Sequence, residues 1–405
     1  MLQLLTAREC GLGPPWFLPR SYGSQRFSEL ELSKEKELGR FHSAAVNSLD
    51  LDCDGRYLIS GGGDVPGSIA IHDTARPAGE KGLYVCGVTV STYGTQNHTD
   101  TSHAVSVVQW FPHDTGIFTT TSGDRYLKIW DTNDLLVVEK FKFKNPIYTH
   151  VMSTGTSHTL TAVGGGECKI TLCDLVSGAS SHVLEGHSKP VMALAWSTAC
   201  EHVLASGSQD NSVVLWDIRK ANGPLTKLDQ HNGSRASSDP SVTVAHGGSV
   251  NGLCFSPDGL HLVSFGTDDR LRLWDAVTGK NTLVNYGRVF NTLPKQNCPL
   301  AFSPLSSTLH PIICIPVGGE VLMFHLTTGK KVKSLSGHFG KVHSLAVHPV
   351  EQELYSGGTD ANILCWMPPP PRKPSLDRAR RSNATGAVYE DAWSSDEDND
   401  DDGRH

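Results

Sequence analysis

Four stretches of the chain repeat one arrangement of potentially reactive side chains. In each, a His is followed 27 to 29 residues later by a Trp, with an Asp six positions before that Trp and a hydroxyl residue four before the Asp. The sets are His103, Thr120, Asp124, Trp130; His187, Ser206, Asp210, Trp216; His246, Ser264, Asp268, Trp274; and His338, Ser356, Asp360, Trp366. Histidine, a hydroxyl and an acid are the components of a nucleophilic triad, in which His deprotonates the hydroxyl and the acid orients the imidazole. The complete set occurs four times, whereas catalysis requires one site, and no G-x-S-x-G elbow accompanies it. The repeat therefore points to a structural tetrad: a buried hydrogen-bond chain from the turn Asp through His and hydroxyl to the indole N–H.

Other suggestive strings are weaker. SGGGD at 60–64 and VGGGE at 163–167 lack the Lys-Ser/Thr ending of a phosphate loop and read as turns. Cys168 and Cys173 straddle a strand at a spacing that suits no common metal site. HExxH and Walker-type strings are absent, so no catalytic residue, metal or cofactor is expected.

The elements that must position the tetrads follow from the period. A fifth segment keeps His42, Ser60 and Asp64 and puts His72 at the Trp position. A sixth ends in ITLCD with Cys173 there, and a seventh, at 301–326, puts Phe324 there. Markers 72, 130, 173, 216, 274, 324 and 366 are 58, 43, 43, 58, 50 and 42 apart, the ~40–45-residue period of WD repeats with insertions. Within a unit the period is two, as in VMALAWS and SVVLWDI, so each is a small antiparallel sheet that must be covered by its neighbours. The fold class expected is all-β: a seven-bladed WD-repeat β-propeller over 27–367, with a short N-terminal helical segment at 1–26 and a disordered C-terminal tail at 368–405. Four prolines, Pro368 to Pro371, follow the last blade and cannot continue its ladder, so RFSELELS at 26–33 is expected to supply the outermost strand and lock the ring.

Three decorations distinguish this platform. MLQLLTAREC ahead of GLGPP reads as a short helix, too short to stand alone in water, whose Leu2, Leu4 and Leu5, with Arg8, could dock on the propeller or enter a partner's groove. Trp216-Asp217-Ile218-Arg219 places a guanidinium just past a strand end, near the rim, where it could bridge to a partner. The tail joins a basic RK…RARR cluster, a possible nuclear-import signal, to an acidic run in which Ser394 and Ser395 have acids three residues on, a plausible phosphorylation context.

Composition bounds the function. The net charge is -7, of which 368–405 carries -3 and the rest -4, too little basic excess to favour direct nucleic-acid binding. No apolar run is long enough to span a bilayer, and the first residues do not read as a secretory leader. Ten scattered cysteines without a CxxC pair suggest reduced, mostly buried thiols in an intracellular protein.

Several stretches lie outside generic repeat grammar: MLQLLTAR, QWFPHDTGIFTTTSGDRYLKIWDTN at 109–133, LDQHNG at 228–233, NTLVNYGRV at 281–289 and EDAWSS at 390–395. With VNGLCFSPDGLHLVSFGTDDRLRLW at 250–274 and QELYSGGTDANILCW at 352–366, they resemble the Cockayne syndrome A family of WD-repeat proteins, while 14–24 and 293–304 depart from it. The resemblance implies a non-enzymatic substrate receptor of a cullin-RING ubiquitin ligase in transcription-coupled nucleotide excision repair. Its residues Leu2, Leu4, Leu5, Arg8, Trp216, Asp217 and Arg219 would attach to the large damaged-DNA-binding adaptor that bridges to cullin-4 and its RING protein. Another surface would hold Cockayne syndrome protein B beside a stalled RNA polymerase II elongation complex, in the nucleus. A generic nuclear scaffold with no ligase connection fits the propeller equally well.

Overall fold

The computed structural model describes residues 17–369 except 35, 65–66, 75–83, 87, 92–102, 156, 221–222, 234–243 and 305–309. The alternating segments form antiparallel sheets that succeed one another as the blades of a seven-bladed propeller. Blade 1 comprises Val46–Leu51, Tyr57–Gly62, Ile69–Asp73 and Val88–Ser91; blade 2, Val105–Trp110, Ile117–Ser122, Tyr126–Asp131 and Val137–Lys142. Blade 3 comprises Ile147–Met152, Leu160–Gly165, Lys169–Asp174 and Ala179–Glu185; blade 4, Val191–Trp196, Val203–Ser208, Val213–Asp217 and Thr226–Lys227. Blade 5 keeps Val250–Phe255, His261–Gly266 and Leu271–Asp275, with a single bridge from Trp274 to Asn281 beyond them. Blade 6 comprises Ala301–Phe302, Ile312–Val317, Glu320–His325 and Lys331–Ser336, and buries Phe324 as its position in the repeat predicts.

Blade 7 closes the ring. Val342–Val347, Leu354–Gly358 and Ile363–Met367 are joined by Glu31–Leu32, which pairs Glu31 with Met367 and Leu32 with Trp366. The closing strand is shorter than 26–33, because a helix, α1 (Phe17–Ser28), occupies its first residues. Pro19 falls in the first turn of α1, where its missing N–H costs no bond. Phe27 and Leu30, both fully buried, then drop into the seam between blades 6 and 7 against Met323, Leu335 and Trp366. Leu32 remains exposed.

Seven apolar clusters account for the packing, and each lies between two consecutive blades. The one joining last to first contains Leu38, Val46, Leu49 and Leu58 from one side and Ala346, Tyr355, Ile363 and Cys365 from the other. A second fastening backs it. Lys36, in the strand Lys36–Leu38 that runs parallel to Tyr84–Cys86, places its Nζ 2.7 Å from Glu353 Oε2 and 5.5 Å from the centre of the Tyr355 ring.

Of the cysteines whose side chains are described, Cys173, Cys298, Cys314 and Cys365 are buried, Cys168, Cys200 and Cys254 half-buried and Cys53 exposed, all of them free thiols. No described helix is long and apolar enough to cross a membrane. The propeller unit ends at Pro369.

Candidate partner-binding face

In three blades the tetrads form as the spacing predicts. His187 Nε2 lies 2.7 Å from Ser206 Oγ and its Nδ1 3.0 Å from Asp210 Oδ2, while Trp216 Nε1 donates to the same Ser206 Oγ at 2.7 Å. The corresponding distances are 2.7, 2.9 and 2.8 Å for His246, Ser264, Asp268 and Trp274, and 2.8, 3.1 and 2.7 Å for His338, Ser356, Asp360 and Trp366. Burial alone would raise the Asp268 carboxyl, but His246, Arg272 and the Gly247 amide outweigh it and hold it well below the usual carboxylate range. Ser206, Ser264 and Ser356 are fully buried and each accepts from an indole, so these hydroxyls cannot meet a substrate as nucleophiles.

Blade 1 has a longer chain, in which Ser68 links Asp64 to His42, and Ser60 links His42 to His72. Burial holds the His72 imidazole down to about 4, so it is neutral at physiological pH.

Blade 2 corrects the expectation. Trp130 Nε1 donates to Thr120 at 2.8 Å, but Asp124 is paired with the buried ammonium of Lys128, and His103 is exposed. Lys128 stands four residues past the Asp, where the other three tetrads have Val214, Arg272 and Leu364. In blade 2 the Lys128 ammonium takes the acid, whereas in blade 5 Arg272 and His246 share it. His103 instead lines a cavity of about 540 Å³ at one mouth of the central channel, with Asn47, Tyr148, Lys295 and Asn297. Residues 293–298 reach that mouth because Asn251 Nδ2 donates to Leu293 O and Gln296 O, at 2.7 and 2.9 Å.

In blade 5 the glycine before the turn is enforced by the tetrad itself. A Cβ at Gly266 would lie 2.5 Å from His246 Nδ1 and 2.6 Å from Asp268 Oδ1. Gly62 and Gly358 hold the same register position, opposite Val46 and Val342, while blade 4 admits Ser208 opposite Val191. Gly266→Ala is expected to destabilise the protein by about 1–3 kcal/mol through overpacking. A lower midpoint in urea unfolding at unchanged slope is the check.

The end of the propeller opposite the His103 cavity is built from the turns that follow each blade's first and third strands. Asp131, Asp174, Asp217 and Asp275 close the third strands, and each accepts the backbone N–H two residues on. In blade 4 that residue is Arg219, and its side chain returns to the same acid: Nε donates to Asp217 Oδ1 at 3.0 Å and Nη2 to Oδ2 at 2.9 Å. Arg219's hydrogen bonds hold the Asp217 carboxyl down to about 2. The guanidinium is fixed by a buried acid yet 62% exposed, which leaves one edge facing outward. Trp216, by contrast, is 1% exposed and cannot touch a partner; its indole donates to Ser206. On the same end Leu136, Val176, Leu225, Leu260, Val277 and Val350 are exposed, six of the twelve large apolar side chains described as exposed. Leu2, Leu4, Leu5, Arg8, Ser394 and Ser395 lie outside the described residues.

Comparison with known proteins agrees with this architecture. The family described as WD domain, G-beta repeat matches residues 35–64, 90–131, 178–217, 239–275 and 329–367. The WD repeat-containing protein ATCSA-1 of Arabidopsis thaliana is 32% identical over 91% of this chain and 95% of its own length. Autophagy-related protein 16 of the same plant is 28% identical over 47% of this chain and 33% of its own length. The WD repeat-containing protein slp1 of Schizosaccharomyces pombe is 27% identical over 54% and 41%.

Proposed function

The chain belongs to the WD-repeat β-propeller family that includes ATCSA-1, and from that premise we propose that it is a non-catalytic receptor subunit of a cullin-4 RING ubiquitin ligase. In this reading the face bearing Arg219, together with Leu2, Leu4, Leu5 and Arg8, attaches to the large damaged-DNA-binding adaptor. The rest of the propeller presents Cockayne syndrome protein B and the RNA polymerase II elongation complex in the nucleus. Ubiquitin transfer occurs on other subunits, and this chain supplies proximity.

The observation that carries the reading is the Asp217–Arg219 fork. Most exposed arginines lose side-chain entropy when they bind, whereas this one is already held by two hydrogen bonds to a buried carboxylate. Exposed apolar side chains on the same end of the propeller supply the kind of area found at the core of partner-binding surfaces. Likeness to ATCSA-1 along nearly the whole chain supports the same choice.

The test is capture of the purified adaptor by the full chain. Replacing Leu2, Leu4 and Leu5 together with Asp is expected to abolish capture while leaving the propeller's melting transition in place. Arg219→Ala is expected to weaken it by about 1 kcal/mol, roughly fivefold, as for a contact at the rim. Undiminished capture by both variants would overturn the reading.

A further inference from the structure

The mouth of the channel that holds the His103 cavity is shaped by a repeated irregularity. In six blades the innermost strand skips one residue in its pairing with the second strand, as where Ile147 faces Gly165 and Thr149 faces Gly164. The residues skipped are Asn47, Ser106, Tyr148, Met192, Asn251 and His343. A bulge of this kind re-aims a side chain out of the regular alternation of the strand. Three of the six, Asn47, Ser106 and Tyr148, line the cavity of about 540 Å³. Asn251 anchors the segment 293–298, which adds Lys295, Gln296 and Asn297 to the wall.

These groups bring donors and positive charge to a place where the protein itself does not use them. No Asp or Glu is among the described residues that line the cavity. Lys295 and Gln296 are exposed and Tyr148 is half-buried. Among the described residues, the Lys295 ammonium, the Gln296 side-chain amide and the Tyr148 hydroxyl have no hydrogen-bond or ion-pair partner. Unlike the Trp110 indole N–H, the Tyr148 hydroxyl is not sealed from solvent. Asn297 makes only a long contact, Nδ2 to Thr149 Oγ1 at 3.5 Å. A second ammonium stands beside the mouth: that of Lys341, exposed, 3.5 Å from the carbonyl oxygen of Thr292. On the same turn Phe339 is 97% exposed, the barest large apolar side chain described. The tetrad acids of this end are turned inward, with the side chains of Asp64, Asp210, Asp268 and Asp360 between 3% and 15% exposed and set against imidazoles. A molecule touching this mouth therefore meets ammonium, phenol and amide groups, not carboxylates.

We propose that this mouth receives an acidic segment of a partner polypeptide. One aspartate or glutamate carboxylate enters the cavity to meet Lys295 and the Tyr148 hydroxyl, while a neighbouring acid lies on Lys341 and an apolar residue on Phe339. An ammonium and a phenol with no partner of their own bind a carboxylate without first breaking a bond in the protein, and charge-assisted hydrogen bonds are the stronger kind. The amides of Gln296 and Asn297 donate and accept, which suits the main chain of a peptide. The cavity is of the size that encloses small ligands, so it admits a side chain. A nucleic acid fits less well, because the mouth offers two unpaired ammoniums and no row of them, and the chain before the tail carries a net charge of -4. The site lies at the end opposite Arg219 and stands whether or not a ligase adaptor docks on that face.

The test is fluorescence polarisation of the full chain with a labelled acidic heptapeptide, Asp-Glu-Asp-Leu-Glu-Asp-Glu. Saturable binding is expected, and the amide counterpart, Asn-Gln-Asn-Leu-Gln-Asn-Gln, is expected to bind at least about tenfold more weakly. Lys295→Gln is expected to weaken the acidic peptide about tenfold and Tyr148→Phe about threefold, the steps for a charged and a neutral hydrogen bond. Both variants are expected to keep the parent's melting transition, since neither side chain is buried. Lys220→Gln removes the same charge at the opposite end and is expected to leave binding unchanged. No saturable binding at submillimolar chain, equal binding of the amide counterpart, unchanged binding in Lys295→Gln, an equal loss in Lys220→Gln, or tighter binding of a heptathymidine oligonucleotide would each overturn the proposal.

Discussion

Trp366→Ala is expected to unfold the ring at its seam. Trp366 is 2% exposed, donates to Ser356 at 2.7 Å, and faces Leu32 across the pair that closes blade 7. Its ring packs in the cluster that holds Phe27 and Leu30, so truncation removes contacts both within the last blade and to the segment that locks it. Cavity formation at such a site costs about 3–5 kcal/mol, comparable to the whole stability of many domains. The variant is expected to melt at least about 5 °C below the parent by calorimetry. A melting point within a degree or two of the parent would mean that the closing strand and the tetrad do not hold the ring together.

Glu353→Ala is expected to have a comparable effect by a different route. The Lys36–Glu353 pair is almost fully desolvated, with side-chain exposures of 10% and 4%, and Tyr355 donates to the same carboxylate at 2.5 Å. Removing one partner of a buried pair leaves the other charge without compensation, which costs about 3–5 kcal/mol. Replacing both, as in Lys36→Met with Glu353→Leu, is expected to cost less than either single change, and a double-mutant cycle by urea unfolding measures the difference. Burial alone would raise the Glu353 carboxyl, but the Lys36 ammonium and the hydrogen bonds from Lys36 and Tyr355 outweigh it and hold it below its ordinary value. A carboxylate depressed in the folded state contributes stability above its unfolded value of about 4.3 and loses it as pH falls through the folded one. The stability gap between parent and Glu353→Leu is therefore expected to be widest near neutrality and to narrow below about pH 4.

The ring was legible from side-chain type and spacing because one physical problem is solved again in each blade. A small sheet must bury both faces and satisfy a polar turn, and His, hydroxyl, Asp and Trp at fixed intervals do that wherever they recur. His187, His246 and His338 therefore fall where the spacing puts them. His103 does not: it is exposed, and Asp124 is paired with Lys128. Periodicity marks the equivalent position but carries no information about which of two neighbouring donors wins it.

Helix α1 illustrates the same boundary. A helix of low amphipathicity that contains Pro19 and Gly23 has no periodic signature, and it is held in place by Phe27 at its end and Leu30 just beyond it, both buried against strands some 300 residues away. Local sequence determined the seven units, their order, the tetrad positions and the closure of the last blade by an N-terminal strand. Tertiary structure alone decided that Trp216 is sealed while Arg219 stands outward, and that Asp50 accepts the Trp110 N–H of the next blade. Burial and electrostatic pairing depend on what other blades bring to within a few ångströms, and that proximity is a property of the closed ring.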